Sequence, residues 1–324
     1  MIQNASSVQF SRGISWKATV ARSQEYLPYA EEFDPKYVEL IKGYSKGSGL
    51  GFEDLFALLC QDENGLCTDV AVNEQATSDG SVLSAHTEDW LPADRKHLVL
   101  LRCEPRGDPS YVIMTLGGLE LVTGLNSAGI SFSANSLEQN DTRVGIPKMF
   151  VARKIMASRR IGEAISASIP SERGTSYNNN ICHASGEMFS IEASATDFSV
   201  LYPEDGYLVH TNHYLNPKMT THERLFSGSR GWSLETGSSS VVRYHRALRL
   251  VRKEIGNITF QYLAGIMSDH VNHPASICQH AQTRLSPHEQ VKTIYATIAN
   301  LKLLELNVCI GNPCTGKFLK YSLR

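Results

Sequence analysis

The sequence has no long apolar run; nowhere does it approach the ~18 consecutive apolar residues of a membrane-spanning helix. It also lacks an excess of either charge. Lys and Arg number 31 against 33 Asp and Glu, a formal net charge of -2, with no basic block. That excludes the electrostatic footprint of a nucleic-acid binder or of a protein held on an anionic membrane. Met1 to Ser11 is polar, without the charged leader and apolar stretch of a secretory signal. The cysteine count, seven, is odd, and outside a secretory route a disulfide framework is not expected. For the same reason the N-x-S/T patterns at Asn4, Asn140 and Asn257 carry no expectation of glycosylation. The last residues, Tyr321-Ser322-Leu323-Arg324, are not the Ser-Lys-Leu peroxisomal address. A soluble cytoplasmic protein, with no nucleic-acid or membrane partner, is expected.

Several chemical motifs are missing as well. No glycine-rich phosphate cradle follows a strand, because Gly47-Ser48-Gly49-Leu50-Gly51 follows a helical pattern instead of opening one. No G-x-S-x-G nucleophile elbow occurs. His210-Thr211-Asn212-His213 and His270-Val271-Asn272-His273 are H-x-x-H pairs, and His86 could join them. Their spacings match neither H-E-x-x-H nor a Cys/His zinc pattern, and Asp269 is the one obvious neighbouring acid. No metal site is expected, and the histidines read as solvated or hydrogen-bonded groups at strand ends. A papain-like site also fails, because Cys67 is followed by Thr68-Asp69-Val70.

What is present is a chain of 324 residues, 42% hydrophobic, able to bury a full core. Trp16 to Ala30, Pro35 to Ser45 and Phe52 to Cys60 read as helices. Tyr37, Ile41 and Tyr44 recur at helical spacing, with Pro35 in a first turn and Gly47 and Gly49 beyond the end. From Val70 the period switches to two. Strands are expected at Val70–Asn73, Val82–His86, His97–Arg102, Tyr111–Thr115, Leu119–Leu125 and Ile130–Ala134, with Asp79-Gly80 a hairpin signal. Helices return at Pro147–Ser158 and Ile161–Ser168. A second β block covers Asn180–Ala184, Met188–Ala193, Phe198–Tyr202 and Tyr207–His210. Helices at Val241–Ile255 and Phe260–Ser268 and a hairpin of Val291–Asn300 with Leu303–Ile310 complete the series. The serine- and glycine-rich stretch 227–240 reads as a mobile loop. Hairpin signals without βαβ alternation favour an α+β fold of antiparallel sheets covered by helices. No internal repeat is evident.

The junction between helical leader and β block is Asn64-Gly65-Leu66-Cys67-Thr68-Asp69. Free cysteines are usually buried as small hydrophobes, a reading that suits Cys60, Cys103, Cys182, Cys278, Cys309 and Cys314. Cys67 differs in following the polar loop Asp62-Glu63-Asn64-Gly65. It is either a core residue or a nucleophile that becomes an N-terminus.

Four segments resemble the family of isopenicillin N acyltransferases and acyl-coenzyme A:6-aminopenicillanate acyltransferases, N-terminal-nucleophile (Ntn) enzymes with a cysteine nucleophile. They are Cys67-Thr68; Thr87-Glu88-Asp89-Trp90; Gly124-Leu125-Asn126-Ser127-Ala128-Gly129-Ile130; and Val209-His210-Thr211-Asn212-His213. Ser276-Ile277-Cys278 and Gly311-Asn312-Pro313-Cys314 support them. Their order and spacing carry the resemblance, which extends from about Tyr37 to the C-terminus.

The resemblance implies a four-layer αββα sandwich and cleavage between Leu66 and Cys67. Residues 1–66 would be a helical leader or small chain, possibly released, and 67–324 the catalytic core, the fragments forming a heterodimer. Cys67 would be the nucleophile and its freed α-amine, with an unperturbed pKa near ~8, the base. Asn212 would donate to the oxyanion, Asp89 would orient the site, and Arg284 would be the family's late arginine. Thr68, Trp90 and Asn135 would touch a small-molecule amide, thioester or amine substrate. No cofactor is required, although acyl-coenzyme A is a possible donor. From local pattern alone, Asp89 also fits a turn acid, Asn126 a turn former and Arg284 a surface residue. The family usually places Gly before the nucleophile, where this chain has Leu66, with Gly65 one step earlier. That departure leaves open an unprocessed, catalytically inactive Ntn-fold binding protein.

Overall fold

Apolar residues at helical spacing shape the first sixty positions. In the computed structural model, which describes residues 1–11, 13–61, 65–227, 234–287 and 290–324, these form α1 (Ile2–Ser11), α2 (Trp16–Ser23), α3 (Leu27–Phe33), α4 (Pro35–Ser48) and α5 (Phe52–Leu59). The expected helix at Trp16–Ala30 is broken by a 3-10 turn at Gln24–Tyr26, and α3 restarts with Pro28 in its first turn, where no N–H is missed. The side chain of Asp34 caps α4 by accepting from the Tyr37 N–H at 3.2 Å, and Gly49 at φ 73° closes it. The α1 helix was not anticipated. The lead-in residues Asp62, Glu63 and Asn64 lie outside the described residues.

From Leu66 the side chains alternate. The strands are β1 (Leu66–Val72), β2 (Leu83–Trp90), β3 (Leu98–Cys103), β4 (Tyr111–Leu116), β5 (Glu120–Asn126), β6 (Ile130–Ser136), β7 (Tyr177–His183), β8 (Met188–Ala193), β9 (Phe198–Leu201), β10 (Tyr207–His210), β11 (Lys292–Asn300), β12 (Glu305–Ile310) and β13 (Leu319–Ser322). Between them lie α6 (Lys148–Met156), α7 (Ile161–Ser168), α8 (Leu234–Lys253) and α9 (Phe260–Met267). The β13 strand was not anticipated. Of the stretch expected to be loop, 228–233 lies outside the described residues, while α8 already begins at Leu234.

Two antiparallel sheets result. One is six-stranded, ordered β10-β1-β2-β11-β12-β13; the other is seven-stranded and runs from β3 to β9 in chain order. Tyr37, Ile41 and Phe56 from the leader join Phe150 of α6 against Ile113 and Phe132, covering the seven-stranded sheet. Ala247, Val251 and Leu263 from α8 and α9 cover the six-stranded sheet on Val70, Leu83 and Ile298. Ala71, Val112, Leu125, Ile294 and Leu306 fill the space between the sheets. This is the expected αββα layering, and it buries β1 along its whole length. At each buried apolar side chain the burial contributes about 1.5–3 kcal/mol.

Candidate active site

One part of the inter-sheet layer is polar. Along β6, Ile130, Phe132 and Ala134 belong to the helix-side core, so the alternate residues Ser131, Ser133 and Asn135 face the other sheet. Asn178 and Asn180 do the same on β7, paired with Asn135 and Ser133. The six-stranded sheet answers with Asp69 on β1 and His86 on β2, directly opposite each other, and with Cys67 opposite Glu88. Buried polar groups persist mostly where they find partners, and the groups around Asp69 do, although Ser131 Oγ and Asn135 Nδ2 have none among the described residues. Asp69 accepts from Ser133 Oγ at 2.6 Å and from Asn180 Nδ2 at 2.7 Å. His86 donates through Nδ1 to Asp69 and through Nε2 to Glu88, both at 3.0 Å. Burial opposes a charged imidazole here, but the two carboxylates outweigh it and raise the His86 pKa to about 10.

Cys67 lies at the end of this seam and is 2% exposed. Its thiol donates to Glu88 Oε2 over 3.7 Å. Burial pushes the thiol well above its ordinary pKa; Glu88, Asp89 and Asp69 add repulsion, and the Ser136 backbone pulls the other way. The backbone of Cys67 is gripped as firmly. Its N–H donates to Asn212 Oδ1 at 2.9 Å, and its carbonyl accepts from Arg243 at 2.5 Å. Arg243, on α8 and wholly buried, also donates to Thr68 Oγ1 at 2.9 Å and to Asn212 Oδ1 at 2.8 Å.

Of the residues singled out from sequence, Cys67, Thr68 and Asn212 therefore meet around one cation. Asn212, however, turns its acceptor oxygen toward Cys67, while its Nδ2 donates to the Ser136 carbonyl at 3.1 Å. Arg243 sets that orientation, because a guanidinium offers only donors and so faces the amide oxygen, which leaves Nδ2 on Ser136 and not free to donate to an oxyanion in this arrangement. Asp89, opposite Leu66, accepts from Thr293 Oγ1 at 2.5 Å, and its other oxygen is buried without a partner among the described residues. Burial raises its pKa to about 7, against the pull of Arg243 and Thr293. Trp90 packs its ring where a Cβ on Gly65 would come within 2.5 Å, and its Nε1 donates to Asp94 at 2.9 Å. Only glycine fits at 65. Asn135 accepts at Oδ1 from Asn178 and Asn180, both at 3.2 Å, and meets His210 Nδ1 at 3.0 Å, while its Nδ2 has no partner among the described residues.

Arg284 does not join them. It is exposed and bonds Gln282 Oε1 at 3.0 Å, so the surface reading holds, and the arginine at Cys67 is Arg243. The signal was available: Arg243 heads a stripe with Ala247 and Val251, four residues apart, on the buried face of α8. Asn126 is the turn former, bonding the backbone of Ala128, Ile130, Met156 and Ser158. His86 and His210 are hydrogen-bonded but buried, not solvated. A groove of about 890 Å³ among Phe33, Lys36, Arg153 and Glu163 lies on the helical side of the other sheet and includes none of these residues. The Cys67 thiol itself is closed to solvent.

Two antiparallel sheets packed face to face between helical layers define the architecture of Ntn hydrolases. Two solved variants of conjugated bile acid hydrolase from Clostridium perfringens share it. Their TM-scores are 0.51 and 0.50 at 11% and 12% identity, each covering 80% of this chain and 97% of the hydrolase. The sequence profile of acyl-coenzyme A:6-aminopenicillanic acid acyl-transferase matches residues 75–315, and the chain belongs to that family. Among curated proteins, the 40 kDa form of acyl-coenzyme A:6-aminopenicillanic-acid-acyltransferase from Emericella nidulans is 26% identical over 290 residues, 85% of this chain and 78% of the relative. The profile match begins beyond Cys67. No helix among the described residues is long and apolar enough to cross a membrane.

Proposed function

We propose that the protein is a self-processing cysteine acyltransferase or amide hydrolase that forms an acyl-enzyme on Cys67. The observation that carries the proposal is the convergence on one residue: Asn212 on the Cys67 nitrogen, Arg243 on its carbonyl and Glu88 on its thiol.

Before cleavage no free amine exists, and the thiol is held protonated. Glu88 is the acceptor within reach. It takes the thiol proton as sulfur attacks the Leu66 carbonyl carbon. The Leu66–Cys67 C–N bond then breaks, the nitrogen recovers a proton, and a thioester remains. Water hydrolyses it, leaving a Leu66 carboxylate and a free Cys67 thiol and amine. The new amine stays on Asn212 Oδ1, which orients its lone pair for the thiol and lets it act as base in turnover. Departure of Leu66 also uncovers Asp89, its partner across β1 and β2.

In turnover, the thiolate takes an acyl group from an amide or thioester, expelling amine or thiol, and passes it to an amine or to water. The relative's name supports a coenzyme A thioester as donor and a β-lactam amine as acceptor. No cofactor enters the scheme.

The test is intact-mass analysis of the purified protein beside Cys67→Ala. Fragments 1–66 and 67–324 in the wild type alone are expected. An uncut wild-type chain whose Cys67 resists acyl-donor labelling would overturn the proposal in favour of an unprocessed binding protein.

A further inference from the structure

Away from Cys67, four side chains converge that the sequence spacings did not connect. His270 follows α9, Cys278 and His280 lie ten residues or fewer beyond it, and Cys314 sits in the turn after β12. Their donor atoms all lie within 4.8 Å of one another. His280 Nε2 is central, 3.7 Å from Cys278 Sγ, 3.7 Å from Cys314 Sγ and 3.1 Å from His270 Nε2. A tetrahedral zinc with Zn–S near 2.3 Å and Zn–N near 2.0–2.1 Å separates its ligand atoms by about 3.3–3.8 Å. The observed separations need only small adjustments.

From these four residues we infer a structural zinc site of the Cys2His2 type, formed by His270, Cys278, His280 and Cys314.

The surroundings are those of a built site. Asn312 Nδ2 donates to Cys278 Sγ at 3.4 Å and to the Gln279 carbonyl at 2.8 Å. An N–H aimed at a sulfur is the outer contact that settles a metal-bound thiolate. The loop is fixed by its backbone, with Cys278 N–H donating to the Asp269 carbonyl at 3.0 Å and His280 N–H to that of Pro274 at 2.9 Å. No ligand comes from Asp269, whose carboxylate holds Arg246 at 2.6 Å. Two thiolates and two imidazoles suit zinc over calcium or magnesium, which take oxygen. Both cysteines are free thiols. The ion would clamp the loop after α9 to the turn after β12. That clamp matters to the centre described above. Gln279, between two ligands, donates its N–H to Thr293 Oγ1 and accepts at its carbonyl from the Thr293 N–H, and Thr293 Oγ1 donates to Asp89.

The test uses full-length protein purified without a histidine tag. Elemental analysis should find about one zinc per chain, retained in Cys103→Ser and lost in the Cys278→Ser, Cys314→Ser double variant. Cobalt(II) added to reduced, metal-stripped wild type should give a thiolate charge-transfer band and tetrahedral visible bands. In Cys314→Ser the charge-transfer intensity should fall to roughly half, since one of two thiolates remains. Because the cobalt spectrum is read on wild type, misfolding of the double variant does not blunt the test. Reduced wild type that binds neither metal would overturn the inference, as would zinc undiminished in the double variant. A Cys278–Cys314 disulfide in protein that takes up no cobalt after reduction would do the same.

Discussion

Glu88 Oε2 accepts from two donors, the Cys67 thiol and the His86 imidazolium, and both lie on the buried face between the sheets. In Glu88→Gln the amide keeps the size of the side chain but is far too weak a base to take the thiol proton. Appearance of fragment 67–324 should slow by about 10²- to 10⁴-fold, the usual worth of a positioned base, while thermal unfolding confirms that the variant folds. Cleavage at the wild-type rate would remove Glu88 from the scheme. Arg243→Lys should also leave the chain uncut, because one ammonium cannot reproduce the fork that reaches Cys67, Thr68 and Asn212 together. Arg243 was overlooked in the sequence because it stands in a helix, far from every motif of the resemblance. Arg284 was favoured for its late position alone.

At the scale of elements, the leader helices carry part of the main core. Ile41 of α4 is wholly buried with Phe56, Phe132 and Phe150. Ile41→Ala should cost about 2–5 kcal/mol through lost burial and a residual cavity. A denaturant midpoint unchanged from wild type would mean that α4 is only peripheral. The strands and most helices were legible from period and turn residues, because alternation survives wherever one face meets the core. The start of α8 was not. Serine and glycine are weak helix formers, yet here tertiary contacts use them. Ser239 Oγ donates to the Ala275 carbonyl at 2.9 Å, and Ser240 Oγ accepts from the Asn212 N–H at 2.9 Å. The polar seam had a visible signature in Ser131-x-Ser133-x-Asn135 and Asn178-x-Asn180. Its meaning required knowing that both faces of those strands are buried. The convergence of His270, Cys278, His280 and Cys314 was not legible, although three of them stand in segments singled out above, since they come from two loops joined only by the fold.

At the scale of the molecule, the bond before Cys67 joins two parts whose side chains interlock. Helices α3, α4 and α5 belong to the covering of the seven-stranded sheet, while β1 runs inside the other. Cleavage would therefore leave the fragments associated through their shared core. In the uncut chain that tether keeps the leader near its sheet at an effective concentration on the order of millimolar. After the cut, renaturation is a second-order encounter governed by dilution. Uncut Cys67→Ala should refold with the same yield at any concentration, and processed protein should fail to recover below micromolar. Equal recovery of both, or a native 67–324 fragment eluting alone, would contradict this. On the proposed cleavage, the leader would act as a chaperone built into the gene product, and the act that arms the thiol would make assembly a one-way event.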